Sequence, residues 1–115
     1  MERQSKILVI DDDQFALQSM AKVLEGQSYQ VITVANGSEA IELLKQDSFD
    51  LILTDLKMPE VDGLEVLRQA REIAPQAAVL ILTGYASVES AIEALREGAY
   101  DYLVKPCSGD ELKLR

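Results

Sequence analysis

Short apolar runs alternate along this chain with stretches whose apolar residues recur at helical spacing. The runs are rich in Ile, Val and Leu and lack polar alternation, which is typical of strands buried on both faces of a sheet. They occupy residues 6–10, 30–35, 51–54, 78–83 and 102–104. We therefore predict five strands. Because helical stretches separate them, the pattern favours a parallel sheet with helices on both faces.

Four intervening segments have the pattern of amphipathic helices. They are residues 14–25, 38–46, 64–73 and 88–98. In the last of these, apolar residues follow the i, i+3, i+4, i+7 spacing. These residues are Val88, Ala91, Ile92 and Leu95. A fifth helix is expected to begin near Ser108, and because the sequence stops at Arg115 we expect it to be cut short.

Residues that favour helix ends flank these segments. Asp13, Asp62 and Ser87 each precede a predicted helix, and Gly98 can end one. The side-chain oxygens of the Asp and Ser residues can accept hydrogen bonds from the first backbone N–H groups of a helix. Glycine readily adopts the conformation that ends a helix. Asp13 is therefore interpreted as a cap and not as a metal ligand.

Length and composition narrow the class of protein. The 115 residues suit one domain, which we expect to span residues 1–115. The single cysteine, Cys107, excludes an intrachain disulfide, and the absence of histidine removes the common zinc ligand sets. A net charge of −9 disfavours direct binding of nucleic acid, because phosphates repel it. The apolar runs are too short for a signal peptide or membrane span, so we expect a cytoplasmic protein.

Polar residues stand at the ends of four predicted strands. Asp11 and Asp12 follow the first strand, and Asp55 follows the third. The fourth ends at Thr83, and Lys105 follows the fifth. The second strand ends in uncharged residues, as an edge strand outside a site would. In open parallel α/β sheets, ligands bind outside these carboxyl ends.

The strand order 2-1-3-4-5, which flavodoxin-like folds use, would make the first and third strands neighbours. Asp11, Asp12 and Asp55 would then converge. Carboxylates this close repel one another, so either one of them stays protonated or a cation joins them. Mg²⁺ or Mn²⁺ suits oxygen ligands of this type. Beside a metal and Lys105, Asp55 is a sensible phosphoryl acceptor, since carboxylates form aspartyl phosphates.

Five pieces of the chain, in order, resemble the receiver domain of two-component response regulators. They are residues 10–13 (IDDD), 53–59 (LTDLKMP), 62–63 (DG), 82–84 (LTG) and 98–106 (GAYDYLVKP). The resemblance covers essentially the whole chain, and residues 83–89 with 98–102 are most similar to receivers of AAA+ transcription activators. One departure is Cys107, which stands where these receivers usually carry an aromatic residue.

The resemblance implies a role for each matching position of the acidic site. Asp55 is implied as the phospho-acceptor. Asp12 is implied as a direct metal ligand and Asp11 as the holder of a metal-bound water. The backbone carbonyl of Lys57 would be a third protein ligand. Lys105 would pair with Asp55 and then with the phosphoryl group.

The resemblance also implies a switch and its partners. Thr83 would hydrogen-bond a phosphoryl oxygen, and Tyr102 would turn inward when Thr83 moves. The phosphodonor would be a phosphohistidine on a sensor histidine kinase. The helix of residues 88–98 and the strand after it would then present a changed face to an output domain, a partner or a second copy.

Three alternatives stay open. One is a receiver fused to a hybrid kinase. Another is a metal-dependent phosphatase with an aspartyl nucleophile, but such enzymes usually carry a second acid two residues later, where this chain has Lys57. The third is a module without phosphorylation, which the presence of both Asp55 and Lys105 disfavours. We therefore expect a switch that is not an enzyme apart from slow autodephosphorylation.

Overall fold

A computed structural model describes residues 4–84 and 87–104, in which five strands alternate with four helices. The strands are β1 (Lys6–Ile10), β2 (Gln30–Val34), β3 (Leu51–Thr54), β4 (Ala78–Thr83) and β5 (Asp101–Val104). The helices are α1 (Gln14–Glu25), α2 (Gly37–Gln46), α3 (Gly63–Ile73) and α4 (Val88–Arg96). Each predicted boundary is confirmed to within two residues. The predicted fifth helix lies outside the described residues.

All the strands are parallel and form one sheet in the order β2-β1-β3-β4-β5, as predicted. Ile10 pairs with Val34 on one side and with Thr54 on the other. Thr83 pairs with Val104 at the far side of the sheet. Because the strands are parallel, their carboxyl ends meet at one edge, with β1 and β3 adjacent.

Each face of the sheet has its own apolar core. In β1, Leu8 and Ile10 point to the core beneath α2 and α3, whereas Ile7 and Val9 point to the core beneath α1. All four side chains are buried, because both faces of the strand are covered. This explains why the strand reads as a continuous apolar run. Among the described helices, none combines the length and apolar character needed to cross a bilayer.

The predicted N-caps are confirmed. The Asp13 carboxylate accepts a hydrogen bond from the backbone N–H of Phe15 at 3.0 Å, which begins α1. The Asp62 carboxylate accepts one from the N–H of Glu65 at 3.0 Å and begins α3. These bonds satisfy backbone donors that have no partner within the helix. They also fix where the chain turns from each strand end into the next helix.

The apolar stripe of α4 faces solvent. The amphipathic pattern normally places such a stripe on the core. Here the exposed fractions are 76% for Val88, 45% for Ile92 and 56% for Leu95. Ala94 is the buried residue of this helix. Helix α4 therefore rests on the sheet through a small contact and leaves most of its apolar side chains uncovered.

Candidate metal and phospho-acceptor site

The register of β1 and β3 brings their terminal aspartates together. Ile10 and Thr54 are paired residues, and the next residue on each strand is an aspartate, Asp11 or Asp55. The backbone N–H of Asp55 donates to the Ile10 carbonyl at 3.0 Å, so the pairing continues one step past the strand. The two carboxylates therefore leave the sheet side by side.

Asp12 completes a cluster with these two residues. Asp11, Asp12 and Asp55 each offer one carboxylate oxygen, and these oxygens lie within 4.8 Å of one another. Asp11 and Asp55 are buried, whereas Asp12 is exposed. The predicted convergence is confirmed. The cluster has an interior part fixed by the strands and one acid that reaches solvent.

Backbone groups orient the two buried carboxylates. The Oδ1 atom of Asp55 accepts a hydrogen bond from the N–H of Leu56 at 2.7 Å. The Oδ1 atom of Asp11 accepts one from the N–H of Asp13 at 3.0 Å. The consecutive acids after β1 therefore have different tasks. Asp11 and Asp12 belong to the cluster, and Asp13 caps α1.

The donor set fits a hard divalent cation. Three carboxylate oxygens within 4.8 Å of one another carry like charges that repel strongly at that separation. Mg²⁺ prefers oxygen ligands, uses only one or two carboxylates and keeps several waters. An edge where one acid is exposed leaves room for those waters. The cluster is therefore a candidate Mg²⁺ site.

The loop between β3 and α3 is held close to Asp55 by Gly63. A Cβ at position 63 would lie 2.2 Å from the backbone oxygen of Asp55 and 2.9 Å from the Cα of Leu56. The Gly63 N–H also donates to the Leu56 carbonyl at 2.9 Å. Only a residue without a side chain allows this approach. Gly63 therefore helps to place the candidate phospho-acceptor.

Lys57 lies in the same loop, two residues after Asp55. Its side chain is exposed. With Met58, Pro59 and Asp62 it lines an open surface recess. The family resemblance assigns the backbone carbonyl of Lys57, and not its side chain, as a metal ligand, and this assignment stays a prediction.

Thr83 and Tyr102 lie on the neighbouring strands β4 and β5. Thr83 is fully buried at the end of β4. Tyr102 is half-buried and pairs with Ile81 of β4, two residues before Thr83. The structure thus places both residues on the side of the sheet that carries α4. Their predicted roles in switching stay predictions, and Lys105 lies outside the described residues.

Sequence reasoning missed Ser90, which links α4 to Tyr102. Its Oγ lies 2.6 Å from the Tyr102 hydroxyl. Ser90 also forms a reciprocal capping box with Ser87 at the start of α4. The spacing of the two serines was a usable signal, although the third residue of such a box is more often Glu or Gln. The contact with Tyr102 had no local signal.

The fold and the site together define a flavodoxin-like α/β protein with an acidic cluster at the carboxyl edge of its central strands. The family model "Response regulator receiver domain" matches residues 7–115. The chain belongs to this family, and it is a receiver domain of two-component signalling. The family resemblance read from the sequence is confirmed.

Curated relatives are transcription regulators. The chain is 43% identical over 111 residues to the transcriptional regulatory protein ZraR of Klebsiella oxytoca, covering 96% of this chain and 25% of that protein. It is 42% identical over 113 residues to the alginate biosynthesis transcriptional regulatory protein AlgB of Pseudomonas aeruginosa, covering 98% of this chain and 25% of that protein. The chain thus spans about a quarter of the length of these relatives.

Solved structures of receivers share the fold. A CheY-like receiver from Methanospirillum hungatei is 33% identical with a TM-score of 0.93, covering 96% of this chain and 89% of that one. A Burkholderia pseudomallei response regulator with a phosphorylated aspartic acid and a calcium ion is 34% identical with a TM-score of 0.91, covering 96% and 65%. The beryllofluoride-activated NtrC4 receiver dimer is 32% identical with a TM-score of 0.88, covering 94% and 89%.

These comparisons support the receiver interpretation and do not support the phosphatase or the hybrid-kinase alternative. The relatives are named as transcription regulators, and the similar structures are named as receivers or response regulators. The similarity to ZraR and AlgB also agrees with the resemblance to receivers of AAA+ transcription activators already noted in the sequence.

Proposed function

We propose that Asp55 accepts one phosphoryl group from a phosphohistidine of a sensor histidine kinase. A carboxylate oxygen of Asp55 attacks the phosphorus, the phosphorus–nitrogen bond breaks, and an acyl phosphate forms while the imidazole leaves. The observation that carries the proposal is the cluster of Asp11, Asp12 and Asp55 with oxygens within 4.8 Å. Within this cluster, Asp55 directly follows the central strand β3, and Gly63, the first residue of α3, packs against its backbone.

The residues around Asp55 would bind the metal ion and orient the acceptor carboxylate. Asp11 and Asp12 would hold Mg²⁺, or Mn²⁺, beside Asp55, with the Lys57 carbonyl as a further ligand. The bound cation supplies charge stabilisation for the phosphoryl oxygens. The Leu56 N–H fixes the orientation of the Asp55 carboxylate. Lys105 and Thr83 would pair with the phosphoryl oxygens, with Lys105 contributing a positive charge.

Phosphorylation would change the face formed by α4 and β5. The new group adds charge and hydrogen-bond acceptors at Asp55, and contacts with Thr83 would shift the end of β4. Tyr102 would respond because it lies in the adjacent strand. A phosphoryl group can move this equilibrium only if its contacts are better in one form than in the other. The protein would then act as a switch, with slow hydrolysis of its own aspartyl phosphate as its only catalysis.

The first experiment tests phosphorylation directly. The protein is incubated with Mg²⁺ and acetyl phosphate, and its intact mass is measured. We expect one alkali-labile phosphoryl adduct per chain, no adduct for Asp55→Asn, and a normal adduct for Asp62→Asn. Asp62 is a matched control, because it lies in the same loop and Asn preserves the helix cap. An adduct that persists in Asp55→Asn would overturn the assignment of the acceptor.

The same incubation separates the other classes of function. Multiple turnover of an added phosphomonoester would indicate a phosphatase. Neither an adduct nor turnover would indicate a module that binds without phosphorylation. Omitting Mg²⁺ or replacing it with Mn²⁺ tests the metal, and we expect phosphorylation to require one of the two.

The exposed apolar side chains of α4 and β5 support self-association or docking of a partner through this face. Besides the α4 stripe, Val104 at the end of β5 is 54% exposed. The similar NtrC4 receiver is described as a dimer in its beryllofluoride-activated form. We propose that phosphorylation favours a dimer through α4 and β5. Because the relatives are about four times longer than the chain, an output domain in the same polypeptide is a second proposed partner.

Sedimentation with and without phosphodonor tests the dimer. We expect Ile92→Glu to abolish any phosphorylation-dependent dimer. Phe15→Glu serves as a matched control, because Phe15 is 79% exposed but lies on α1. Equal loss of the dimer in both variants would contradict the proposed face.

We further propose that the protein works in the cytoplasm without direct contact with nucleic acid or membrane, since its net charge of −9 opposes binding to anionic surfaces.

A further inference from the structure

A group of ion pairs centred on Arg68 joins α4 to α3. The Nε atom of Arg68 lies 2.8 Å from Oε2 of Glu97, and its Nη2 atom lies 3.2 Å from Oε2 of Glu93. Its Nη1 atom lies 3.3 Å from Oε1 of Glu65 on α3 itself. One guanidinium thus engages two carboxylates that are one helical turn apart at the far end of α4. We refer to Arg68, Glu65, Glu93 and Glu97 as the Arg68 cluster.

A second arginine of α3 contacts the same end of α4. Gly98 has a φ of 101° just past the helix, and a Cβ there would lie 2.9 Å from Nε of Arg71. The Arg71 side chain therefore covers the backbone of Gly98. It is held in place by a hydrogen bond of 3.0 Å to the Pro75 carbonyl. Two long polar side chains of α3 thus meet the end of α4.

Apolar burial anchors α3 far more firmly than α4. On α3, Val66, Leu67 and Ala70 are fully buried against the sheet. On α4 the buried residue is Ala94, whose side chain is a single methyl group. Because buried apolar area contributes about 25 cal/mol per Å², α4 gains little from its contact with the sheet. Polar contacts therefore have a large share in setting its position.

The pKa shifts of Arg68 and Glu65 agree with these contacts. The pKa of Arg68 is raised, mainly because its side chain donates a hydrogen bond to Glu97. The pKa of Glu65 is lowered, chiefly by a hydrogen bond from Gln69 and also by Arg68. These groups are exposed to solvent, so each ion pair is individually weak and salt screens it.

We propose that the Arg68 cluster is a clamp that holds α4 in the orientation seen here, and that weakening it releases α4 without disturbing the carboxylate cluster. Weak, solvent-exposed ion pairs are suited to holding a helix that moves, because a small change in free energy at another site is enough to break them. It would set how the exposed apolar stripe of α4 is presented. This consequence rests on the proposed role of α4, but the clamp itself does not depend on phosphorylation.

Hydrogen exchange of the unphosphorylated protein tests the clamp. Amide exchange in α4 is measured by mass spectrometry for the wild type, Arg68→Ala and Arg96→Ala, at low ionic strength and without phosphodonor. Loss of two ion pairs to α4 should speed exchange in α4 roughly three- to tenfold. Exchange in α3 and β1 should not change. Arg96→Ala is the matched control, because it removes the same charge from an exposed side chain at the same end of α4 that is not part of the cluster, and we expect it to leave exchange in α4 near the wild-type rate.

Two results would overturn the proposal. One is equal exchange of α4 in Arg68→Ala and the wild type. The other is wild-type exchange of α4 that does not accelerate at about 0.5 M salt, where exposed ion pairs are screened. If Arg68→Ala does not fold, the double variant Glu93→Gln, Glu97→Gln replaces it and should show the same acceleration. Since no phosphodonor is present, failure here is distinct from failure of Asp55 to accept a phosphoryl group.

Discussion

The hydroxyl of Tyr102 in β5 lies 2.6 Å from Oγ of Ser90 in the first turn of α4. Ser90 also belongs to the capping box of α4, in which its N–H donates to Oγ of the N-cap Ser87 and its own Oγ accepts from the Ser87 N–H. The residue proposed to report phosphorylation is therefore tied to the start of α4, while the Arg68 cluster holds the other end. If Tyr102 moves, either its hydrogen bond with Ser90 breaks or the start of α4 moves with it. A change at Tyr102 would therefore act directly on the helix that carries the exposed apolar side chains.

A double-mutant cycle tests this contact. Tyr102→Phe removes the hydroxyl and should lower the free energy of unfolding by about 1 kcal/mol. Ser90→Ala should cost more, because it also removes half of the capping box. The double variant should be no less stable than Ser90→Ala alone, since the shared bond is already lost. Urea unfolding measures all four proteins, and strictly additive losses would show that the two hydroxyls are not coupled.

Gly63→Ala should damage both stability and phosphorylation. The new Cβ would overlap the backbone oxygen of Asp55 at 2.2 Å, so the loop must move. We expect a loss of about 1–3 kcal/mol in unfolding free energy and slower formation of the phosphoryl adduct. Gly26→Ala is the control, because a Cβ there would lie 3.4 Å from the Lys22 carbonyl oxygen, which is an ordinary van der Waals distance. Similar behaviour of the two variants would contradict a positioning role for Gly63.

Asp12→Ala should stabilise the protein when no divalent cation is present. Removing one of three crowded carboxylates relieves repulsion, and because Asp12 is exposed the gain should be up to about 1 kcal/mol. Added Mg²⁺ should raise the unfolding temperature of the wild type but not that of the variant. Glu72→Ala removes an equal charge from an exposed site on α3 and controls for net charge. Destabilisation by Asp12→Ala in metal-free buffer would argue against crowding.

The ion pair between Lys6 and Asp47 should lose its effect in acid. The pKa of Asp47 is lowered because Lys6 donates a hydrogen bond to its carboxylate, and the Ser48 N–H adds to this. A lowered pKa contributes stability above the unfolded value of about 3.9, and the contribution disappears as the pH falls through the folded value. Asp47→Asn should therefore be slightly less stable than the wild type at neutral pH and equal to it near about pH 2. Urea unfolding at both pH values measures the difference, and a constant difference would refute this assignment.

The carboxyl-edge site was largely predictable from local pattern. Unbroken apolar runs marked the strands, and Asp11 and Asp55 were visible as charges directly after two of them. Parallel crossovers force such ends to one edge, so only the strand order was needed to bring the acids together. The caps Asp13 and Asp62 were equally local, because a cap bonds to backbone two or three residues away.

The environment of α4 was not predictable in this way. Its periodicity identified a helix, but a pattern of apolar residues does not reveal whether another element covers them. Arg68 and its partner Glu97 are 29 residues apart, and no spacing rule connects them. The same holds for the approach of Gly63 to the backbone of Asp55, which depends on how the loop folds back.

The sequence by itself determined the strands, the helices, their caps and the edge at which the acids gather, because these follow from periodicity, residue type and chain direction. Tertiary structure alone decided that three carboxylate oxygens lie within 4.8 Å, that the stripe of α4 faces solvent and that Arg68 reaches across to α4. The physical reason is that local preferences act over a few neighbouring residues, whereas burial and ion pairing depend on which distant segments pack together.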